Sequence, residues 1–223
     1  MFRRTAPRFL LALAALLAST LAAQAAPLTV VSYDMPNGDG QAHGGRYNYW
    51  DGTYDGNGDP SADGSFLSGG TGALTDGFIT TDPWSNVSNS SGTGAYVGWL
   101  DTNPTIVFHF ADTVDIHRVK LYFDHSNEGG VTAPSGFVLN GTTYLNPTWN
   151  ATWPSDTFSV GGLDVTGNTV TLQLLDPTRW IFVSEIRFFG VADTVSAVPE
   201  PSSLAAMLGG LGLLGLALRR RRR

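Results

Sequence analysis

The sequence predicts an all-β fold, an antiparallel β-sandwich of jelly-roll type, on three observations. Apolar and polar residues alternate with period two in several stretches of its second half. Gly, Asp, Asn and Pro punctuate those stretches at short intervals. Outside its two ends the chain has no amphipathic helical period of useful length.

Residues 1–25 have the layout of a secretory signal peptide. Arg3, Arg4 and Arg8 form a positive start, Phe9 to Leu17 is unbroken Phe, Leu and Ala, and Ala23-Gln24-Ala25 supplies the small residues a signal peptidase reads. Cleavage is expected after Ala25. At the other end, Leu204 to Leu218 contains only Leu, Ala, Met and Gly, and five arginines, Arg219 to Arg223, follow. As a helix, 203–218 would rise about 24 Å, short of a bilayer core of about 30 Å. Snorkelling arginines and local thinning can close that gap. The arginines belong on the cytoplasmic side, so the expectation is a C-terminal transmembrane helix that leaves the middle of the chain outside.

Between these ends, residues 26–197 make one extracytoplasmic β-sandwich domain. The domain holds five basic residues, Arg46, Arg118, Lys120, Arg179 and Arg187, against eighteen acidic ones, a formal charge of −13. So acidic a domain excludes non-specific nucleic acid binding and suits solubility and cation binding. The absence of cysteine excludes disulfides, thiolate metal sites and a Cys nucleophile.

From Pro36 to Gly98 the composition is Gly, Asp, Asn, Ser and Tyr, with Asp-Gly pairs at residues 39, 51, 55, 63 and 76. Each pair reads as a turn, because Gly accepts positive φ and Asp bonds back to the local backbone. Interleaved aromatics, among them Tyr47, Tyr49, Trp50, Tyr54 and Trp84, argue for a looped but ordered region with short strands. Strands follow: Ile106, Phe108 and Phe110; then Val119, Leu121 and Phe123; then Val170, Leu172 and Leu174, each set alternating with polar neighbours. Trp180 to Phe189 is dominated by β-branched and aromatic residues and reads as a strand buried on much of both faces.

Val198-Pro199-Glu200-Pro201, the apolar span and the arginine cluster together resemble the PEP-CTERM sorting signal of Gram-negative bacteria, here residues 198–223. The resemblance implies recognition of Pro199, Glu200 and Pro201 by an exosortase in the inner membrane. It implies a membrane-anchored stage, and then the cell surface or extracellular matrix.

Two strings in the domain, Leu74-Thr75-Asp76-Gly77 with Thr81 and Trp84, and Phe182-Val183-Ser184-Glu185-Ile186-Arg187-Phe188-Phe189-Gly190, resemble the discoidin or coagulation-factor type C family, a galactose-binding-like jelly roll. The Asp-rich stretch before residue 74 is additional to that pattern. The resemblance implies a structural calcium where the early Asp-Gly loop meets the last strand. Asp76 and Glu185 would give carboxylate oxygens, Thr81 its hydroxyl or carbonyl, and Ile79 and Ser184 backbone carbonyls, a hard oxygen shell of the kind calcium takes. From the residues alone, Glu185 pairs with Arg187 or Arg118, or points to solvent, while Asp76 makes a turn. Asp55, Asn57 and Asp59 match the opening of an EF-hand loop. However, Pro60 and Phe66 stand where Gly and Glu belong, which leaves a looser calcium loop or a solvated turn.

Sugar binding needs an aromatic platform and a few polar groups on loops. Tyr96, Trp99, Trp149 and Trp153, with His125, Asn127 and Arg179, are the candidates, and core packing is the alternative for each aromatic. The four histidines lack metal-motif spacing, and neither a nucleophile elbow nor a phosphate loop occurs. The reading is therefore a non-enzymatic module that binds carbohydrate, exopolysaccharide included. Its rival is a structural biofilm-matrix or envelope protein with no small ligand.

Overall fold

The computed structural model describes residues 26–40, 48–80, 82–87, 94–151, 156–175 and 180–192. The expected signal peptide and sorting segment lie outside them. Among the described residues no helix is long and apolar enough to cross a membrane. Nine strands follow in order: β1 (Ala26–Pro27), β2 (Ser32–Pro36), β3 (Phe66–Gly70), β4 (Val97–Leu100), β5 (Thr105–Phe123), β6 (Gly136–Leu139), β7 (Thr142–Leu145), β8 (Thr157–Leu175) and β9 (Trp180–Ala192). The described helices are short: one turn, α1 (Trp84–Val87), and a 3-10 turn at Glu128–Gly130.

All strand pairs are antiparallel, as expected of a β-sandwich. The long strands β5 and β8 do more than the sequence period indicates, because each belongs to both layers. The first part of β5 pairs with β2 (Tyr33↔Phe108) and with the end of β8 (Thr105↔Gln173 to His109↔Thr169). Register then breaks between His109 and Val114, and residues 111–113 are exposed. Beyond the break β5 pairs with the start of β8 (Val119↔Val160) and with β9 (Val119↔Phe188). A bulge of this kind bends a strand and increases its twist, and here it carries the β5–β8 ribbon from one layer into the other. One layer is β3-β2-β5-β8-β6-β7; the other is β8-β5-β9, with β1 and β4 on β9's far edge.

The layers meet through aromatic side chains. Phe108 and Phe110 of the first lie edge-on to Phe188 of the second, with ring centroids 4.9 and 5.5 Å apart. Edge-to-face pairs add to the hydrophobic gain of burial. The alternating residues Ile106, Val119, Leu121, Phe123, Val170, Leu172 and Leu174 all face this core. As expected, β9 is buried on both faces through its first seven residues. Ile181 and Val183 join the main core, while Trp180 and Phe182 join a second cluster with Tyr49, Trp84, Tyr96 and Val131. That second cluster is where the turn-rich segments pack down on the sandwich.

The Asp-rich stretch is docked by a buried polar network centred on Asp51, which makes the expected turn, with the Tyr54 N–H donating to its carbonyl at 3.1 Å, and anchors it as well. Asp51 is fully buried. Its carboxylate accepts hydrogen bonds from the Tyr33 hydroxyl, the Ala73 N–H at 2.9 Å and the Thr53 hydroxyl at 3.3 Å. Its own N–H donates to Asn37 Oδ1 at 2.8 Å, and Asn37 Nδ2 donates to the carbonyls of Asp59 and Ala62. Burial pushes the Asp51 carboxyl above the usual carboxylate range, against the lowering effect of its donors.

Candidate functional site

At one end of the sandwich two connections are braced against each other by a buried carboxylate. Asp124 follows β5 directly, and its backbone N–H donates to the Phe182 carbonyl at 3.1 Å. Its Oδ2 accepts from the Trp84 N–H at 2.7 Å and its Oδ1 from the Ser126 N–H at 2.7 Å. Burial raises the Asp124 carboxyl, opposed by these donors and by His125. Trp84 Nε1 donates to the Glu128 carbonyl at 3.0 Å, and the Ser85 hydroxyl donates to the Glu128 carboxylate at 2.6 Å. Asn127 has φ of 61°, a left-handed conformation that Asn tolerates. Gly129 has φ of +64°, and a Cβ there would sit 3.3 Å from the Trp84 ring. The loop is thus shaped by Trp84, a residue about forty positions away in sequence.

This frame brings His125 and Asn127 together on a rigid rim. Asn127 is exposed and His125 half-buried. The Nδ1 of His125 is buried and has no hydrogen-bond partner among the described residues. Such an atom in a folded protein calls for a reason, since an unsatisfied buried polar group costs about 1–3 kcal/mol. Trp149 is half-buried against the main core. It lies in the connection from β7 to β8, which Asn146 holds to the connection before β6 by donating to the Pro134 carbonyl at 3.1 Å.

Two aromatic candidates are corrected. Tyr96 is fully buried in the second cluster, and its hydroxyl donates to the Asp82 carbonyl at 2.7 Å. Trp99 is 1% exposed, and its indole N–H donates to the Pro36 carbonyl at 3.1 Å. Both are core residues whose polar tips are satisfied internally, so neither is a ligand platform. Trp153, Arg179, Thr81, Pro199, Glu200 and Pro201 lie outside the described residues.

The loop Leu74–Thr80 does meet the last strand. It fills β9's edge between β4 and β1: the Ile186 N–H donates to the Leu74 carbonyl at 2.9 Å, and the Ser184 hydroxyl to the Thr80 carbonyl at 2.8 Å. Glu185 is 3% exposed; Arg187 Nε donates to its Oε1 at 3.0 Å and the Gly77 N–H to its Oε2 at 3.1 Å. Burial nevertheless raises the Glu185 carboxyl, because desolvation outweighs Arg187. Asp76 is exposed, and its Oδ1 accepts from the Phe78 N–H at 2.7 Å, the local turn bond read from the sequence. Ile79 is exposed as well. Among the described residues no group of three or more His, Asp or Glu side chains is placed to hold a metal ion. The donors present fit a cation only if Arg187 gives up Glu185, since the guanidinium already supplies the positive charge there.

Asp55, Asn57 and Asp59 serve separate turns. Asp55 Oδ1 accepts from the Thr71 N–H at 2.7 Å, Asn57 bridges to Ser68, and Asp59 Oδ1 accepts from the N–H and hydroxyl of Ser61. The two carboxylates and the Asn57 amide are each committed to a different partner, which favours the solvated-turn reading of this stretch over a calcium loop.

The fold and the loop Leu74–Thr80 on the edge of β9 define an antiparallel β-sandwich of discoidin type. The chain belongs to the family described as discoidin domain-containing receptor 1/2, DS-like domain, whose model matches residues 29–190. Residues 197–222 match the PEP-CTERM protein-sorting motif, which marks an exported, exosortase-processed protein of the cell envelope. Among the curated proteins none matches. Similar solved structures include a Streptococcus pneumoniae fucose binding module, at 15% identity and TM-score 0.37, covering 62% of this chain and 87% of that one. Another is from the S. pneumoniae beta-galactosidase BgaA, at 11% identity and TM-score 0.37, covering 53% and 84%. A third is the CBM32 of AlyQ in complex with 4,5-unsaturated mannuronic acid, at 12% identity and TM-score 0.31, covering 43% and 78%.

Proposed function

We propose that this protein is an exported, envelope-sorted binding module that engages carbohydrate at the rim formed by His125, Asn127 and the Trp84–Asp124–Glu128 brace. The observation that carries the reading is a rim that exposes the Asn127 amide and part of the His125 ring and is braced from beneath by the buried Asp124 carboxylate. A sugar hydroxyl both donates and accepts, so it can pair with either end of the exposed Asn127 amide. Preorganised polar groups lose little entropy on binding. Trp149 and, on the sequence reading, Trp153 and Arg179 would add an apolar wall and a cation.

In this reading residues 26–197 are the exported domain, residues 1–25 are removed, and 198–223 carry the sorting signal and its transmembrane helix. The protein passes through the inner membrane and ends at the cell surface or in the matrix. The domain acts by binding, exopolysaccharide included, rather than by turnover. A structural calcium at Asp76 and Glu185 is a separate proposal, supported by the meeting of the Asp-Gly loop with β9; Ile79, Thr81 and Ser184 would complete its oxygens.

The test is a glycan array followed by calorimetry, comparing the wild type with His125→Ala and Asn127→Ala. Saturable binding weakened at least tenfold in both variants, about 1.4 kcal/mol, is expected. Binding that survives both substitutions would move the site elsewhere. No binding to any glycan would favour the rival reading, a structural matrix or envelope protein.

A further inference from the structure

Three of the domain's five basic residues, Arg118, Lys120 and Arg187, stand on one face of the second layer. The other two, Arg46 and Arg179, lie outside the described residues. In register, Arg118 is opposite Phe189, Lys120 opposite Arg187, and Tyr122 opposite Glu185. The intervening residues Val119, Leu121, Ile186 and Phe188 are buried in the core, so this set faces outward. On the other flank of β5 the same rows end in small residues, Gly161, Ser159 and Thr157. Arg118 lies over the Phe189 ring at 4.3 Å and Lys120 over the Tyr122 ring at 4.5 Å. The strip continues onto Val191, 55% exposed. Among the described residues the only carboxylate paired with any of the three cations is that of Glu185. Flat arginine and aromatic surfaces of this composition are what protein interfaces are enriched in.

We propose that this strip is the docking face for the acidic arm of a second copy of the chain, joined head to tail. The complement is carried by the molecule itself. Asp55, Asp59 and Asp63 are exposed on the arm between β2 and β3, beside Phe66, which is 65% exposed. Each carboxylate commits its Oδ1, Asp55 to the Thr71 N–H, Asp59 to Ser61 and Asp63 to the Gly40 N–H and the Trp50 indole N–H, and keeps lone pairs free for a guanidinium or ammonium. A compact arm suits the strip better than a long polyanion does. The Debye length is about 8 Å at physiological salt, so a docked arm feels mainly the strip. An extended anionic chain would run off the strip onto the surrounding acidic loops. Because strip and arm are different surfaces, the contact is heterologous, and it propagates unless the rotation closes a ring. Sorting many copies to one surface raises their effective concentration.

The test is sedimentation velocity of the full chain in detergent, corrected for the micelle, across protein concentration at physiological and high salt. Wild-type protein should form concentration-dependent assemblies that dissociate as salt rises. Arg118→Glu with Lys120→Glu should give monomers, and so should Asp55→Asn, Asp59→Asn and Asp63→Asn together, since an Asn Oδ1 can still accept from Thr71, Ser61, Gly40 and Trp50 without the charge. Mixing these two variants should give dimers and nothing larger, each having one working surface. If the charge reversal fails to fold, Arg118→Gln with Lys120→Gln should still weaken association at least tenfold. A single wild-type size at all concentrations, or glutamine variants that assemble as the wild type does, would overturn the proposal. Wild-type monomers retained on a polyuronate column through Arg118 and Lys120 would reassign the strip to an anionic glycan.

Discussion

Arg187 and Glu185 sit two residues apart on the same strand, and the guanidinium closes on the buried carboxylate at 3.0 Å while also reaching the Gly77 carbonyl at 3.3 Å. One side chain thereby neutralises the acid and holds the Leu74–Thr80 loop against β9. Arg187 thus competes with any divalent ion for this position. With calcium, the thermal midpoint should rise modestly in the wild type, rise more in Arg187→Ala and not at all in Glu185→Ala. Full occupancy at a hundredfold excess over Kd corresponds to about 2.7 kcal/mol. A midpoint indifferent to calcium and chelator in all three proteins would remove the ion and leave Arg187 as the sole counter-charge.

Stability should increase as pH falls from neutral toward 5. Burial raises the carboxyls of Asp39, Asp51, Asp124 and Glu185 in the folded state. The folded protein then binds protons more tightly than the unfolded chain. The associated stability is full below the unfolded values near 4 and is lost as pH rises through the raised folded ones. Self-repulsion of the −13 domain acts in the same direction. Urea unfolding at pH 5 and 7.5 checks this, and Asp51→Asn should flatten the slope. Lower stability at pH 5 would show that paired, depressed carboxylates dominate instead.

Asp51→Ala removes the acceptor for the Tyr33 and Thr53 hydroxyls and the Ala73 N–H at once. A loss of about 2–4 kcal/mol is expected, because buried donors are left unpaired. Asp51→Asn, which keeps an acceptor for Ala73, should lose less than half of that. Equal losses would mean that the charge rather than the hydrogen bonding holds the arm.

Phe108→Ala should cost about 3–5 kcal/mol, the range for emptying an aromatic site in a packed core, since it unseats Phe188 across the layers. Gly190→Ala should also destabilise: a Cβ there would stand 1.8 Å from the Asp115 carbonyl oxygen, so β9 would have to move off β5. Chemical denaturation of both variants measures this, and near-wild-type midpoints would contradict the packing described.

Aromatic candidates were the least legible part of the site. Tyr96, Trp99 and Trp149 look alike in sequence, each near a loop end, yet Tyr96 and Trp99 are core while Trp149 is half-buried. What separates them is whether a distant carbonyl, Asp82 or Pro36, waits for the polar tip. His125 and Asn127 were readable because a loop between two period-two strands must surface. Their brace was not, because Trp84 and Asp124 are brought together only by the second aromatic cluster.

By itself the sequence determined the local and compositional facts: the period-two strands, the antiparallel sandwich, the turn-rich arm, the acidic balance, and the resemblance at the C-terminus that the sorting motif matches. These depend on side-chain alternation and residue type, which are written in order along the chain. Only the tertiary structure decided that β5 and β8 cross between layers at residues 110–113, that Asp51 is buried, that Glu185 chooses Arg187, and that three cations share one face. Each of these depends on partners far apart in sequence, whose meeting is set by packing of the whole core rather than by any local preference.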